Sequence, residues 1–138
     1  MDRNEIKHVC AWLPIPVMAV VNGAFRDLVY GKRMSETLAH SLSVLPLILA
    51  ILAWAGALAK WAPLADDRAG QRVGLIWLLL TLSFEFGLGA LRGLELRVML
   101  AQYDITRGQL WPFVPLTMGL APELARRFAG RWRQKPAP

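Results

Sequence analysis

Residues 73–91 read VGLIWLLLTLSFEFGLGAL, flanked by Arg72 and Arg92. A helix that crosses a bilayer needs about 20 mostly apolar residues, and this stretch supplies them between two charged ends. One residue breaks the pattern. Glu85 lies seven positions before Arg92, so roughly 10 Å inside that end at about 1.5 Å per residue. An ionised carboxylate facing lipid at that depth is costly. It therefore has to face the interior of a bundle, pair with a cation, or carry a proton. Two roles satisfy this requirement: a structural ion-pair partner, or a ligand or proton site. Gly87, Gly89 and Gly93 follow directly, and Gly89-x-x-x-Gly93 has the small-residue spacing of membrane helix contacts.

Composition points the same way. The chain has 138 residues, 55% hydrophobic and 19% charged, with mean hydropathy +0.36. A soluble domain of that size has too little interior to hide so much apolar surface. One membrane domain over 1–138 is expected. The net charge of +6 is concentrated at the ends of apolar segments, where topology and anionic lipid explain it better than nucleic acid does. A single cysteine, Cys10, excludes an internal disulfide and a CxxC metal site. His8 and His40 are too far apart to form a local ligand motif, and no metal or other cofactor is expected.

Working outward, three more apolar runs appear, giving spans of about 9–25, 37–58, 73–91 and 110–124. The expected fold class is an all-α integral membrane protein, a bundle of four transmembrane helices. The first run is read as a retained span rather than a signal peptide. Its head carries Asp2 and Glu5, Pro14 and Pro16 interrupt its core, and no small-x-small site follows. Those prolines should kink it and leave carbonyls for neighbours to satisfy. The second run begins with Thr37, His40 and Ser41 on one face, is capped by Ser35, and contains Pro46. Trp54 and Trp61 suit the membrane boundary at its other end. Asp66 or Asp67 should cap the third span.

Residues 92–109 are amphipathic, with Leu96, Met99, Leu100 and Tyr103 as the apolar stripe. This segment either continues the third helix or lies flat at the interface. Asp104, Thr106 and Gly108 are turn residues that send the chain back. The fourth run is short and holds Pro112, Pro115 and Pro122, so a bent span is expected. A basic tail, 125–138, follows with Arg126, Arg127, Arg131, Arg133 and Lys135, Trp132 as an anchor, and anionic lipid as its partner.

Four spans put the head, the middle loop and the tail on one side. That side holds ten of the sixteen Lys and Arg residues, which places both termini in the cytoplasm. Arg26, Asp27, His40, Glu85, Arg92, Tyr103, Asp104 and Arg107 then gather at one depth on the other side. Ordinary headgroup-level charges account for the arginines of 92–107 and poorly for Glu85. Arg26 is the expected partner of Glu85.

The stretches 22–27 (NGAFRD), 84–87 (FEFG) and Asp104 with 108–112 (GQLWP) resemble an uncharacterised family of small four-span bacterial inner-membrane proteins. That resemblance touches every span but the second. It implies a multi-pass protein of the bacterial inner membrane and brings no assigned activity. It falls on Arg26, Asp27, Glu85 and Asp104, the residues that charge and depth had already singled out.

Two functions fit best. One is a module that binds or transports a small solute, ion or proton through Glu85, Arg26, Asp27, His40 and Asp104, as a homo-oligomer where a pathway is needed. The other is an accessory subunit of a larger membrane complex. An enzyme is less favoured, because the chain has no nucleophile elbow, HExxH, metal-binding carboxylate pair or phosphate loop, and no catalytic residue is assigned. A haem subunit would need a second histidine on a span beside His40.

Overall fold

The computed structural model describes residues 1–133, with side chains through Arg131; the expectations for the side chains of Trp132 and Arg133 and for Lys135 fall outside what is described. Every regular element among the described residues is helical. They are α1 (Arg3–Cys10), α2 (Pro14–Phe25), α3 (Glu36–Trp61), α4 (Asp67–Leu91), α5 (Leu96–Ala101) and α6 (Phe113–Arg133). A π-helical turn, Arg26–Tyr30, and two 3-10 turns, Gly31–Arg33 and Ile105–Arg107, complete the order. Three stretches, Arg3–Arg33, Glu36–Trp61 and Asp67–Leu91, are long and apolar enough to cross a membrane. α6 is not among them. It runs unbroken through Pro122 into the segment expected to be a tail, and so carries Glu123, Arg126 and Arg127 within one helix.

The boundaries follow from local chemistry. Ser35 caps α3 by accepting from Leu38 N, and Asp66 caps α4 by accepting from Ala69 N at 2.8 Å. α4 stops because Gly93 takes φ +74°, which lets Leu94 N reach back to Gly89 O. Residues 92–109 therefore do not prolong α4; they contain the separate short helix α5 and the 3-10 turn that follows it.

Proline shapes the start of the chain as expected. Pro14 has no N–H to give, and the turn at 11–13 leaves the carbonyls of His8 and Ala11 outside the helical ladder. Both are taken by indoles: Trp77 Nε1 donates to His8 O and Trp54 Nε1 to Ala11 O, each at 2.8 Å. Trp54 thus serves the backbone of the turn between α1 and α2.

α4 packs chiefly on α6, and α6 on α3. Trp77, Ile51, Met118, Val73 and Val44 fill the centre. The tightest approach is at Gly74, where a Cβ would run into the carbonyl of Gly119, and at Gly70, where it would meet Glu123. Glycine contacts were expected at the other end of this helix. There, only Gly89 is covered, by Met99; a Cβ at Gly87 or Gly93 would meet nothing. Gly93 terminates the helix instead of packing it.

The two ends of the bundle differ. At the end holding α1 and the α3–α4 loop, Arg72 grips the buried carboxylate of Glu5 through Nη2–Oε1 (2.7 Å) and Nε–Oε2 (3.1 Å). Asp67 and Glu123 pair there with Arg126 and Arg127. His8, fully buried, bonds Ala62 O through Nε2 at 2.9 Å. The opposite end is held by neutral groups around Glu85.

Candidate functional site

The site is built at that opposite end by four segments. α4 supplies Glu85. The connection after it doubles back and lays two donors on the carboxylate: Tyr103 OH on Oε2 at 2.7 Å, and Trp111 Nε1 on Oε1. Both carboxylate oxygens are thus engaged by neutral donors. Tyr103 also stacks on Phe86, with centroids 5.9 Å apart and planes at 20°. Burial, and then the bond to Glu85, push the Tyr103 phenol well above its ordinary value, so it stays a donor.

α3 supplies His40. Its ring stacks on Trp111 at 5.2 Å, and Nδ1 lies 3.2 Å from Gln109 Oε1. An amide oxygen only accepts, so the imidazole donates through Nδ1. One helical position on, Ser41 Oγ donates to Gly108 O at 2.7 Å. Gly108 sits at φ +79°, a conformation that favours glycine and reverses the chain. The polar face expected of residues 37–41 is therefore the dock for residues 108–111.

α2 and the π-helical turn supply Arg26. Gly31 N closes the wide turn on Arg26 O, and a Cβ at Gly31 would sit 2.9 Å from that oxygen. Single π turns often occur at functional sites. Here the turn carries Arg26 and Asp27, paired at 2.7 Å. Asn22, one turn earlier, fastens α2 to α3 by donating to Ser43 O at 2.8 Å.

Arg26, His40 and Glu85, from three separate elements, line one cavity of about 270 Å³. Its walls are mostly apolar and aromatic, with Trp12, Phe84 and Trp111 among them. Trp12 Nε1 bonds Thr81 Oγ1 at 2.9 Å and its ring meets Phe84 edge-on at 6.1 Å, which ties the turn before α2 to α4 at one limit of the cavity. A second, more polar cleft of about 900 Å³ shares Arg26, His40 and Gln102 with the first and adds Asp27, Lys32 and Gln109.

No family model, curated protein or solved structure matches this chain.

Geometry alone therefore decides what the site can do. Of the residues singled out from sequence, Arg26, His40 and Glu85 meet at the first cavity, and Asp27 lines the cleft beside it. Asp104 does not join them. It caps the 3-10 turn, accepting from Thr106 N at 3.0 Å and pairing with Arg107 at 3.2 Å. The Thr106 bonds, with Arg107 nearby, hold its carboxyl below the usual range. The expected Arg26–Glu85 pair is not formed. Asp27, adjacent in sequence, takes Arg26 at almost no entropic cost, and Tyr103 and Trp111 take Glu85. Among the described residues no three His, Cys, Asp or Glu side chains come together as a metal would require.

Trp111 and Gln109 were not singled out as site residues. Their signal was present. An indole and an amide directly after a Gly turn are donors arriving at a depth where an acid already waits.

Proposed function

We propose that this chain is a multi-pass protein of the bacterial inner membrane, with α6 as a fourth crossing helix and both termini cytoplasmic. In this reading the non-cytoplasmic half of the bundle binds a small ionic ligand. The membrane part is supported by surface chemistry. Only 11% of the apolar window in the first candidate span is buried, and 22% of that in α4. Water would not tolerate so much exposed hydrocarbon on one small chain. α6 presents a matching stripe of Phe113, Leu116, Leu120 and Leu124, each at least 40% exposed. Its charged half is compensated by Asp67 and lies at the end where the positive-inside rule expects cations.

One observation carries the binding part: a guanidinium, an imidazole and a carboxyl from three elements face a single cavity with apolar walls. Concave, mostly apolar sites with a few convergent polar groups are the usual form of ligand sites. Ionisable side chains at membrane depth mark such sites too.

The test is a thermal-shift panel on detergent-purified protein, spanning inorganic ions, amino acids and short-chain amphiphiles. It is repeated with Arg26→Gln. At least one ligand class should raise the melting temperature of the wild type, with a smaller rise in the variant. No shift with any class, or shifts identical in the two proteins, refutes the reading.

A further inference from the structure

Resting on that reading, we infer that the ligand is an amphiphile with one phosphate-like anionic group, entering the cavity from the bilayer between α2 and α4. The first support is the rim. Val20 on α2, Phe84 and Leu88 on α4, and Leu94 after it all line the cavity and are 38–59% exposed. The cavity therefore reaches the molecular surface through apolar side chains, at the level where the helices face hydrocarbon. A purely hydrophilic solute gains nothing from such a mouth, whereas an alkyl chain does.

The second support is the way α2 is attached. Asn22 joins it to α3 through Ser43, and Trp12, in the turn before it, reaches α4 through Thr81. The Trp12 tie closes one limit of the cavity. Toward Arg26 the cavity itself separates the two helices.

Charge is the third. Glu85 spends both oxygens on Tyr103 and Trp111. Arg26 engages Asp27 through Nε alone, and its two Nη groups make no hydrogen bond among the described residues. Arg92 also lines the cavity and has no ion-pair partner among the described residues. In the cavity the uncommitted ionic groups are thus two guanidiniums, whose planar forks suit phosphate oxygens, while the adjoining cleft adds Lys32 and Glu36, whose charges offset each other. Arg26 stands where the apolar cavity meets the polar cleft, so a chain fits one side of it and a headgroup the other.

The experiment uses the full chain in neutral-detergent micelles and reads intrinsic tryptophan fluorescence, to which Trp12 and Trp111 contribute from the cavity wall. Three probes separate the possible sources of binding: dodecyl phosphate, 1-dodecylglycerol with a similar chain and no charge, and glycerol phosphate with the charge and no chain. Dodecyl phosphate should bind at least tenfold more tightly than either of the others. Arg26→Gln with Arg92→Gln should weaken it about tenfold and leave dodecylglycerol unchanged. Should that pair of substitutions abolish cooperative melting, Arg26→Lys with Arg92→Lys keeps the charge, loses the fork, and should still weaken dodecyl phosphate more than dodecylglycerol. Equal binding of dodecylglycerol overturns the inference, because only an apolar sink is then present. Equal binding of glycerol phosphate also overturns it and leaves the broader proposal of an ionic-ligand site standing. Silence from all three probes and from the thermal-shift panel ends both.

Discussion

Replacing Tyr103 with phenylalanine removes one hydroxyl and little else. The ring can keep its stack on Phe86, so the change isolates the bond to Glu85 Oε2. A hydrogen bond to a neutral group contributes about 0.5–1.5 kcal/mol net, and one to a charged group about 1.5–3 kcal/mol. Tyr103 is only partly buried, and water can replace part of the loss. Tyr103→Phe should therefore cost about 1–2 kcal/mol. Two further variants sharpen the result. In Glu85→Leu the acceptor is gone, so adding Tyr103→Phe should cost almost nothing, a non-additivity of about 1–2 kcal/mol. In Glu85→Gln the amide oxygen can accept from Trp111 while the amide nitrogen donates to a reversed Tyr103 hydroxyl. Both bonds survive, so that change should be milder than Glu85→Leu. The assay is equilibrium unfolding in mixed neutral and anionic detergent micelles, followed by circular dichroism and tryptophan fluorescence. A cost for Tyr103→Phe below about 0.3 kcal/mol, or one that stays the same in the Glu85→Leu background, means that the connection is not clamped on α4 through this carboxyl.

Three other outcomes follow from the same packing. Gly74→Ala drives a methyl into the Gly119 carbonyl and should cost about 3 kcal/mol or more, whereas Gly87→Ala meets open space and should gain roughly 0.5–1 kcal/mol of helix propensity; the same unfolding assay ranks them. Arg72→Leu strands the buried Glu5 carboxylate, so it should lower the melting temperature more than Glu5→Gln does, and the double replacement should recover part of the loss. The two shifted groups of the connection act at opposite ends of the pH scale. The raised Tyr103 value means its contribution is intact below about pH 10 and is lost as pH climbs through the higher folded value. The lowered Asp104 value means its cap is intact above about pH 3.9 and is lost as pH falls through the lower folded value. An NMR titration of the Thr106 amide should place the Asp104 midpoint below the ordinary one, and a midpoint at or above it rejects the cap.

Hydropathy and proline grammar made the long helices legible, because both act within one segment. The kink at Pro14, the caps at Ser35 and Asp66 and the turn at Gly108 are all local consequences of residue type. Partner choice was not legible, because it depends on which neighbours the fold brings within reach. Arg26 was matched to Glu85 by charge, yet Asp27 is one residue away and needs no fold to reach it. The glycines after Glu85 had the right spacing for a helix contact, but the partner helix makes its closest approach nearer the start of α4, at Gly70 and Gly74. α6 was divided into span and tail because its charges end the apolar run. The pairs of Glu123 with Arg126 and Arg127 inside the helix, and their tertiary pairing with Asp67, explain why the helix continues.

These differences share one physical origin, and it bears on where a ligand would act. At the end holding Glu5, charges are mutually paired and α4 touches α6 backbone to backbone, so small displacements are costly there. At the end holding Glu85, the carboxyl is held by two neutral donors on a loop, and α2 fully buries only Ile15 and is fastened to α3 by Asn22. Regions with few buried apolar contacts are the ones that open at low free energy. A ligand that fills the cavity adds contacts between α2 and α4 only while it is bound, so its differential affinity would draw them together. Binding should therefore slow hydrogen exchange along α2 and the α5 connection and leave α6 near Gly119 as it was. Uniform protection along every helix would contradict this division of the bundle into a stiff end and a yielding one.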